Sequence, residues 1–193
     1  MLFKEMKNMP PKIQTTKEMI LDAAFEIVRK EGSEHLSIRK ISEYLGCSTQ
    51  PVLYNFRSIS EIREETYKKA DKFHSEYLMT PDENFKINPL LSLGMNYIKF
   101  GYEESNLFKF LFQTDKFNGL SNDDLLSNPE ASVLIEITAK NTECSIENAK
   151  DMFFTLFIAV HGYASLLANN SMKYDEEKIK KILHNIRGRD KND

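Results

Sequence analysis

The 193-residue sequence contains few of the residues that interrupt or cross-link a chain: seven glycines, six prolines and two cysteines. Cys47 and Cys144 stand apart without a CxxC spacing, which argues against a zinc or dithiol motif and fits a reducing cytosol. There is no convincing period-two alternation and no internal repeat. Pro89 and Pro129 each follow an asparagine, as at helix starts, and the sequence therefore predicts an all-α fold with short connections.

Catalytic motifs are also missing from the sequence. It has no glycine-rich phosphate loop, no GxSxG motif and no HExxH motif, and its four histidines do not have metal-ligand spacing. Acidic neighbours such as Glu64 and Glu65 diverge on a helix and are typical of a solvated face. We predict that the chain is not an enzyme and has no cofactor or metal, with a small helical enzyme as a remote alternative.

Residues 37–56 are the most informative stretch of the sequence. Ser37 can cap a helix with apolar residues at positions 38, 41 and 45, and Gly46 suits the left-handed turn that ends it. Ser48 or Thr49 can cap the next helix, where Pro51 lies in the first turn. We expect Val52 and Leu53 to pack inward in this second helix. This is the pattern of a helix-turn-helix, which places one helix in the major groove of DNA.

Helices are predicted on both sides of this stretch. Upstream, Thr15 and Glu18 can form a capping box before an apolar stripe that should end near Gly32. Downstream, Ser58 and Glu61 can form a second capping box, which opens a long helix running towards Thr80. We expect an N-terminal arm and helix-turn-helix domain over 1–60 and a helical regulatory and dimerisation domain over 61–193.

The charge difference between the two parts of the chain is small, but the N-terminal part is the more positive, as expected for a DNA-binding domain. The formal net charge is −3; residues 1–60 hold 9 Lys and Arg against 7 Asp and Glu, and the remainder holds 17 against 22. Sequence-specific DNA binding needs only a local cationic surface. Lys4, Lys7 and Lys12 lie in an N-terminal arm that either contacts DNA or is a solvated tail.

The N-terminal third resembles the TetR family of transcriptional repressors. The resemblance rests on the order and spacing of the following residues: Ile20, Leu21, Asp22, Ala23, Ala24, Gly32, Leu36, Ser37, Ile38, Ile41, Leu45, Gly46, Cys47, Ser48, Phe56, Ser60, Glu61 and Ile62. It implies an all-helical homodimer with an N-terminal DNA-binding domain and a C-terminal ligand-sensing domain. In that family, an inducer spreads the two recognition helices and releases a palindromic operator.

Two positions depart from the family pattern. Most members have a phosphate-contacting Tyr where this sequence has Leu53, with Tyr54 one residue later, and many have a Lys where it has Ile59.

Gln can read the N6/N7 edge of adenine, and Thr or Tyr can contact phosphates or a thymine methyl group. The DNA-binding candidates are Ser37, Arg39, Lys40, Ser48, Thr49, Gln50, Tyr54, Asn55 and Arg57.

The C-terminal two-thirds of the sequence predicts further helices from Pro89, over 129–142, over 146–170 and over 175–187, with loops over 81–88 and 115–128. Residues 152–172 carry no charge, a length that can cross a bilayer, but their apolar residues line two helical faces. We therefore predict a core helix of a cytoplasmic protein without a signal peptide, and a homodimer interface within 146–187.

Aromatic residues and methionines are dense between residues 90 and 163, which suggests a pocket for a small-molecule effector. The same pattern is also typical of a packed core. The ligand-binding candidates are Met95, Tyr97, Phe100, Phe108, Phe112, Phe157 and His161. Two alternatives to the ligand-responsive repressor remain open: a helical dimer that acts through a protein partner, and a constitutive DNA-binding regulator without an inducer.

Overall fold

The computed structural model describes residues 15–80, 89–113 and 129–188. These residues form nine α-helices, a short 3-10 helix at Ser33–His35 and no strand, so the all-α prediction is confirmed. The helices are α1 (Lys17–Glu31), α2 (Ile38–Tyr44), α3 (Thr49–Asn55), α4 (Ile59–Leu78), α5 (Pro89–Glu103), α6 (Ser105–Phe112), α7 (Pro129–Thr142), α8 (Ile146–Ala168) and α9 (Glu176–Gly188).

Helix boundaries follow the capping residues closely. The hydroxyl groups of Ser37 and Ser58 accept the backbone N–H three residues on, as predicted, and so does that of Ser145. The first helix is an exception, because Thr16 rather than Thr15 is its N-cap and accepts the N–H of Met19 at 3.2 Å. Capping therefore determines where most of these helices begin, with an error of one residue at α1.

Helices α1 to α3 form the helix-turn-helix around a small apolar centre. Ile20 of α1, Ile41 of α2 and Val52 of α3 are all fully buried there. Gly46 has φ of +64°, a left-handed conformation that glycine adopts without the steric cost of a side chain. The turn at Gly46 allows α2 and α3 to pack against each other, and both also contact α1.

The second half of the fold is organised around the packing of α5 on α8. Gly101 marks their closest approach, since a Cβ atom at this position would lie 2.7 Å from the Cβ of Ala164. Helix α4 contacts α1, α5 and α6, so it joins the helix-turn-helix to this second group of helices. Helix α7 packs on the N-terminal part of α8 through a separate cluster that includes Ile135 and Phe153.

The predicted helices over 129–142, 146–170 and 175–187 are confirmed to within two residues at each end. The Lys4, Lys7 and Lys12 arm and the loops predicted over 81–88 and 115–128 lie outside the described residues. By length and composition, α8 is the one helix among the described residues that is long and apolar enough to cross a membrane. It packs against α5, α6, α7 and α9, which favours the prediction of a core helix.

The cap of α4 gives a direct test of this local structure. Replacing Ser58 by alanine removes the acceptor for the Glu61 N–H, so Ser58→Ala should lower the free energy of unfolding by about 1 kcal/mol. Ser60→Ala is the matched control, because Ser60 is exposed inside the same first turn. Urea denaturation of both variants measures the difference, and equal stabilities would contradict the capping role of Ser58.

Candidate DNA-binding surface and effector site

Helix α3 presents a continuous outward stripe made of Thr49, Gln50, Leu53 and Tyr54, which we call the α3 stripe. All four are exposed, with Leu53 50% and Tyr54 89% accessible. The prediction that Leu53 packs inward is wrong. Residue 53 follows residues 49 and 50 at helical spacings of four and three, which places Leu53 on their face of the helix and away from the buried Val52.

Asn55 does not have the free, outward side chain that we expected of it. Its side-chain amide donates to the carbonyl oxygen of Thr15 at 3.1 Å and to that of Pro51 at 2.8 Å. The bond to Thr15 ties the end of α3 to the residue just before the N-cap of α1, whereas the bond to Pro51 lies within α3 itself. The amide of Asn55 therefore anchors α3 in this structure, and the role of Asn55 in DNA binding stays a prediction.

The cationic candidates of the helix-turn-helix are mostly paired with carboxylates. Arg39 Nε donates to Glu43 at 2.9 Å, and Lys40 Nζ lies 2.7 Å from a carboxylate oxygen of Glu31. Arg57 is exposed at the end of the helix-turn-helix. These pairs lie at or near the surface, where ion pairs contribute little to stability, so Arg39 and Lys40 can exchange a carboxylate for a phosphate at small cost.

The two serine candidates lie at helix N-termini beside the same surface. Ser37 caps α2, with its hydroxyl group accepting the N–H of Lys40. Ser48 is the N-cap of α3 but makes no side-chain capping bond, and it is exposed. An anion at either terminus would meet backbone N–H groups that the helix itself leaves without partners.

A polar contact joins the C-terminal end of α1 to the bend between α5 and α6. Both oxygens of Glu104 accept hydrogen bonds from the Arg29 guanidinium, one of them from Nε at 2.8 Å. Asn106 donates to the carbonyl oxygen of Arg29 at 3.1 Å, and the guanidinium lies over the ring of Phe73. Because Glu104 is only 9% exposed, loss of this partner would leave a nearly buried carboxylate uncompensated.

The ligand-binding candidates lie together in an aromatic cluster between α5, α6 and α8. Tyr97 Oη and His161 Nδ1 share a hydrogen bond of 2.8 Å, and the His161 ring stacks on Phe157. Phe108 and Phe112 contact the same two polar rings. Met95 and Phe100 are fully buried in the same core.

His74 is a member of this cluster that sequence reasoning missed. It follows Ile62, Thr66 and Ala70 at steps of four along the buried face of α4, and that spacing signals burial without signalling a polar site. Its ring contacts Tyr97, Phe100 and Phe112, and its Nε2 has no hydrogen-bond partner among the described residues. Burial lowers the pKa of His74 from 6.5 to about 4, so the ring is neutral at pH 7.

A small cavity adjoins the cluster between α5 and α8. Its volume is about 30 Å³, and two of the ligand-binding candidates, Tyr97 and Phe157, line it. The other lining residues are Leu90, Leu93, Gly94, Phe153, Leu156 and Val160. This space accommodates a water molecule or a methyl group, so a larger ligand requires the surrounding side chains to move. Within the described part of the chain, no group of three or more His, Cys, Asp or Glu residues is arranged to hold a metal.

Known proteins with similar sequences and structures agree with this arrangement. No protein-family model matches the sequence. The chain is 26% identical over 186 residues to an uncharacterized HTH-type transcriptional regulator, YobS of Bacillus subtilis strain 168, covering 93% of each chain. It superposes on a TetR-like transcriptional regulator from Rhodococcus sp. RHA1 with a TM-score of 0.61 and 16% identity, covering 95% of this chain and 100% of the other.

The chain has a TetR-like fold. The suspected family resemblance drawn from residues 20–62 is thereby confirmed. The match covers 95% of this chain, so it extends beyond the helix-turn-helix to the C-terminal helices. It thus includes the helices that hold the aromatic cluster.

Neutral burial of His74 predicts a specific pH dependence of stability. A histidine whose pKa is lowered by folding stabilises the protein above its unfolded pKa of 6.5, and this stability is lost as the pH falls towards 4. A leucine at this position cannot ionise. Between pH 7.5 and pH 4.5, the free energy of unfolding of His74→Leu should therefore fall by about 2 kcal/mol less than that of the wild type. Urea denaturation at the two pH values measures this, and parallel pH profiles would contradict a buried neutral His74.

Proposed function

We propose that this protein is a DNA-binding transcriptional regulator in which the α3 stripe enters the major groove. The observation that carries the proposal is the division of α3 into a buried face at Val52 and an exposed stripe with hydrogen-bonding side chains at Thr49 and Gln50. Glutamine can bond to both N6 and N7 of adenine, while Tyr54 can reach phosphate or base edges. The TetR-like fold and the HTH-type relative support the same role.

The proposed contacts with the DNA backbone come from residues around the stripe. Arg39, Lys40 and Arg57 supply positive charge, while Ser37 and Ser48 stand at the N-termini of α2 and α3. Such contacts position a protein on the duplex and make its affinity depend on salt, while base edges supply sequence specificity. Asn55 contributes by holding α3 in place through its bond to Thr15.

The regulator acts as a homodimer in this proposal, with α8 at the interface between subunits. Ile158 and Leu166 are 56% and 43% exposed, and Gly162 between them on the same face is also exposed. Helix α7, which packs on α8, exposes Val133 and Ile137. The outward positions of α9 up to residue 185 are mainly polar, so within the expected range of 146–187 the apolar contact surface belongs to α8.

Two-fold symmetry of such a dimer requires a palindromic operator. The two α3 helices would then enter major grooves on one side of the duplex, at a spacing of about 34 Å or somewhat more. The division into a DNA-binding part over 1–60 and a regulatory part over 61–193 belongs to the same proposal. The proposal also includes that the protein is not an enzyme and that it acts in the cytoplasm.

A small molecule bound near Tyr97 would control operator binding. The aromatic cluster supplies apolar walls with few polar groups, which is the usual composition of a ligand pocket. The Arg29–Glu104 contact supports coupling to DNA, because a ligand that displaces α5 would also move the helix bend that holds α1. The ligand would favour the conformation in which the two α3 helices no longer fit one operator.

A constitutive regulator without an inducer is the second candidate. The cavity of about 30 Å³ between α5 and α8, in the part of the chain that the structure describes, favours it, because a drug-sized ligand needs roughly ten times that space. The two candidates differ only in whether a small molecule controls operator binding, since both require the α3 stripe to bind DNA. Operator binding that no cellular extract relieves would favour the constitutive regulator.

Gln50→Ala tests the DNA-binding role of the α3 stripe. If Gln50 pairs bidentately with adenine, the variant should lose about 1–3 kcal/mol of binding free energy on the preferred duplex and much less on a scrambled duplex. Fluorescence anisotropy with labelled duplexes measures both values. Gln113→Ala is the matched control, because Gln113 bonds to Ser165 far from α3. Equal losses on both duplexes would remove Gln50 from the base-reading residues.

Ile158→Lys tests the dimer. A buried, unpaired lysine at the two-fold contact is strongly unfavourable, so the variant should be largely monomeric at micromolar concentrations where the wild type is a dimer. Met79→Lys is the control, since Met79 is an apolar residue 73% exposed at the end of α4. Sedimentation equilibrium gives the masses, and a dimeric Ile158→Lys variant would place the interface elsewhere.

A further inference from the structure

The α3 stripe has an apolar side chain at its centre. Leu53 lies four residues after Thr49 and three after Gln50, and half of its surface is exposed. Single exposed leucines are common on protein surfaces and need no explanation. This one differs because it stands between the hydrogen-bonding residues of the helix proposed to enter DNA. It also takes the place of the family's phosphate-contacting Tyr, and a leucine has no donor with which to bind a phosphate.

The direction of Leu53 is fixed by its neighbours on the helix. Val52 is fully buried against the other helix-turn-helix residues, which sets the rotation of α3 about its own axis. Asn55 ties the end of the helix to the Thr15 carbonyl oxygen. Because both contacts constrain α3, Leu53 cannot turn away from the groove without breaking one of them.

The major groove offers one apolar group for such a side chain. Base edges there present donors and acceptors, and the C5 methyl group of thymine is the exception. Against that methyl group, Leu53 removes apolar surface from water on both partners. Against a G·C pair, it would instead cover polar atoms without replacing their hydrogen bonds, which is unfavourable.

We propose that Leu53 selects a thymine in each operator half-site through contact with its methyl group. The inference rests on the proposed DNA-binding function and goes beyond it by naming the base and the group that is read. Gln50 lies one helical turn before Leu53 and is suited to adenine, so the two residues together specify A·T base pairs. The preference for thymine at the base that Leu53 contacts then depends on shape and on burial of apolar surface. It is independent of charge, because α3 carries no ionisable group other than Tyr54.

Replacement of thymine by deoxyuridine tests the proposal, because it removes the methyl group and leaves base pairing unchanged. The preferred duplex is first selected by the full-length protein from random sequences. Each thymine is then replaced singly, and affinity is measured by fluorescence anisotropy at one salt concentration. One thymine per half-site should show a loss of about fourfold, the value of one buried methyl group.

Two variants assign the effect to Leu53. Leu53→Ala should bind the thymine and deoxyuridine duplexes with nearly equal affinity, whereas Leu53→Met keeps an apolar side chain of similar volume and should retain most of the discrimination. Thermal unfolding of each variant verifies that it is folded, as expected for a half-exposed position.

Three results would overturn the inference. Selected duplexes that tolerate deoxyuridine at every position would refute methyl recognition while leaving DNA binding intact. Discrimination that persists unchanged in Leu53→Ala would assign the methyl contact to another residue. Failure to select any duplex would reject DNA binding itself, and with it the reading of thymine by Leu53.

Discussion

Burial of one face of α3 is the constraint on which the rest of this structure depends. Helix α3 has seven residues, too few to be stable alone, and it is held by Val52 in the centre and by the Asn55 amide at its end. These contacts decide which residues remain outside. The exposure of the α3 stripe is thus a consequence of packing. Because the helix cannot rotate, the side chains of the stripe keep facing outward, as the proposed DNA contacts require.

The same helix α1 that supports α3 also meets the C-terminal helices. At its N-terminal end the Thr15 carbonyl oxygen receives Asn55, and near its C-terminal end Arg29 bonds to Glu104. Helix α1, fifteen residues long, therefore lies between the end of α3 and the bend between α5 and α6. In the proposed regulation, a displacement of α5 would reach α3 through these two contacts of α1.

Much of this arrangement was predictable from the sequence, because capping residues and apolar spacing act locally. Ser37, Gly46 and Ser58 marked helix boundaries correctly, and Pro89 and Pro129 each begin a helix. The two predictions for α3 that failed did so for different reasons. Leu53 was placed in the core because it is apolar, although its helical spacing to Thr49 and Gln50 puts it on their exposed face. The bond of Asn55 to Thr15 joins residues forty apart, which only folding brings together.

The candidate effector site illustrates a further limit of sequence reasoning. The density of aromatic residues was visible in the sequence, and the structure brings the seven candidates into one region. His74 lay outside the stretch that drew attention, because its packing against Tyr97 depends on how α4 crosses α5. The size of the cavity depends on how these side chains interlock, and no spacing of residues encodes that directly.

Carbethoxylation interference at adenine N7 tests the central claim most directly, since this atom lies in the major groove where the α3 stripe should bind. The account predicts interference at adenines in two half-sites related by two-fold symmetry, with centres about one helical turn or somewhat more apart. Binding that is indifferent to modification throughout the major groove, or sensitive in one half-site alone, would contradict it.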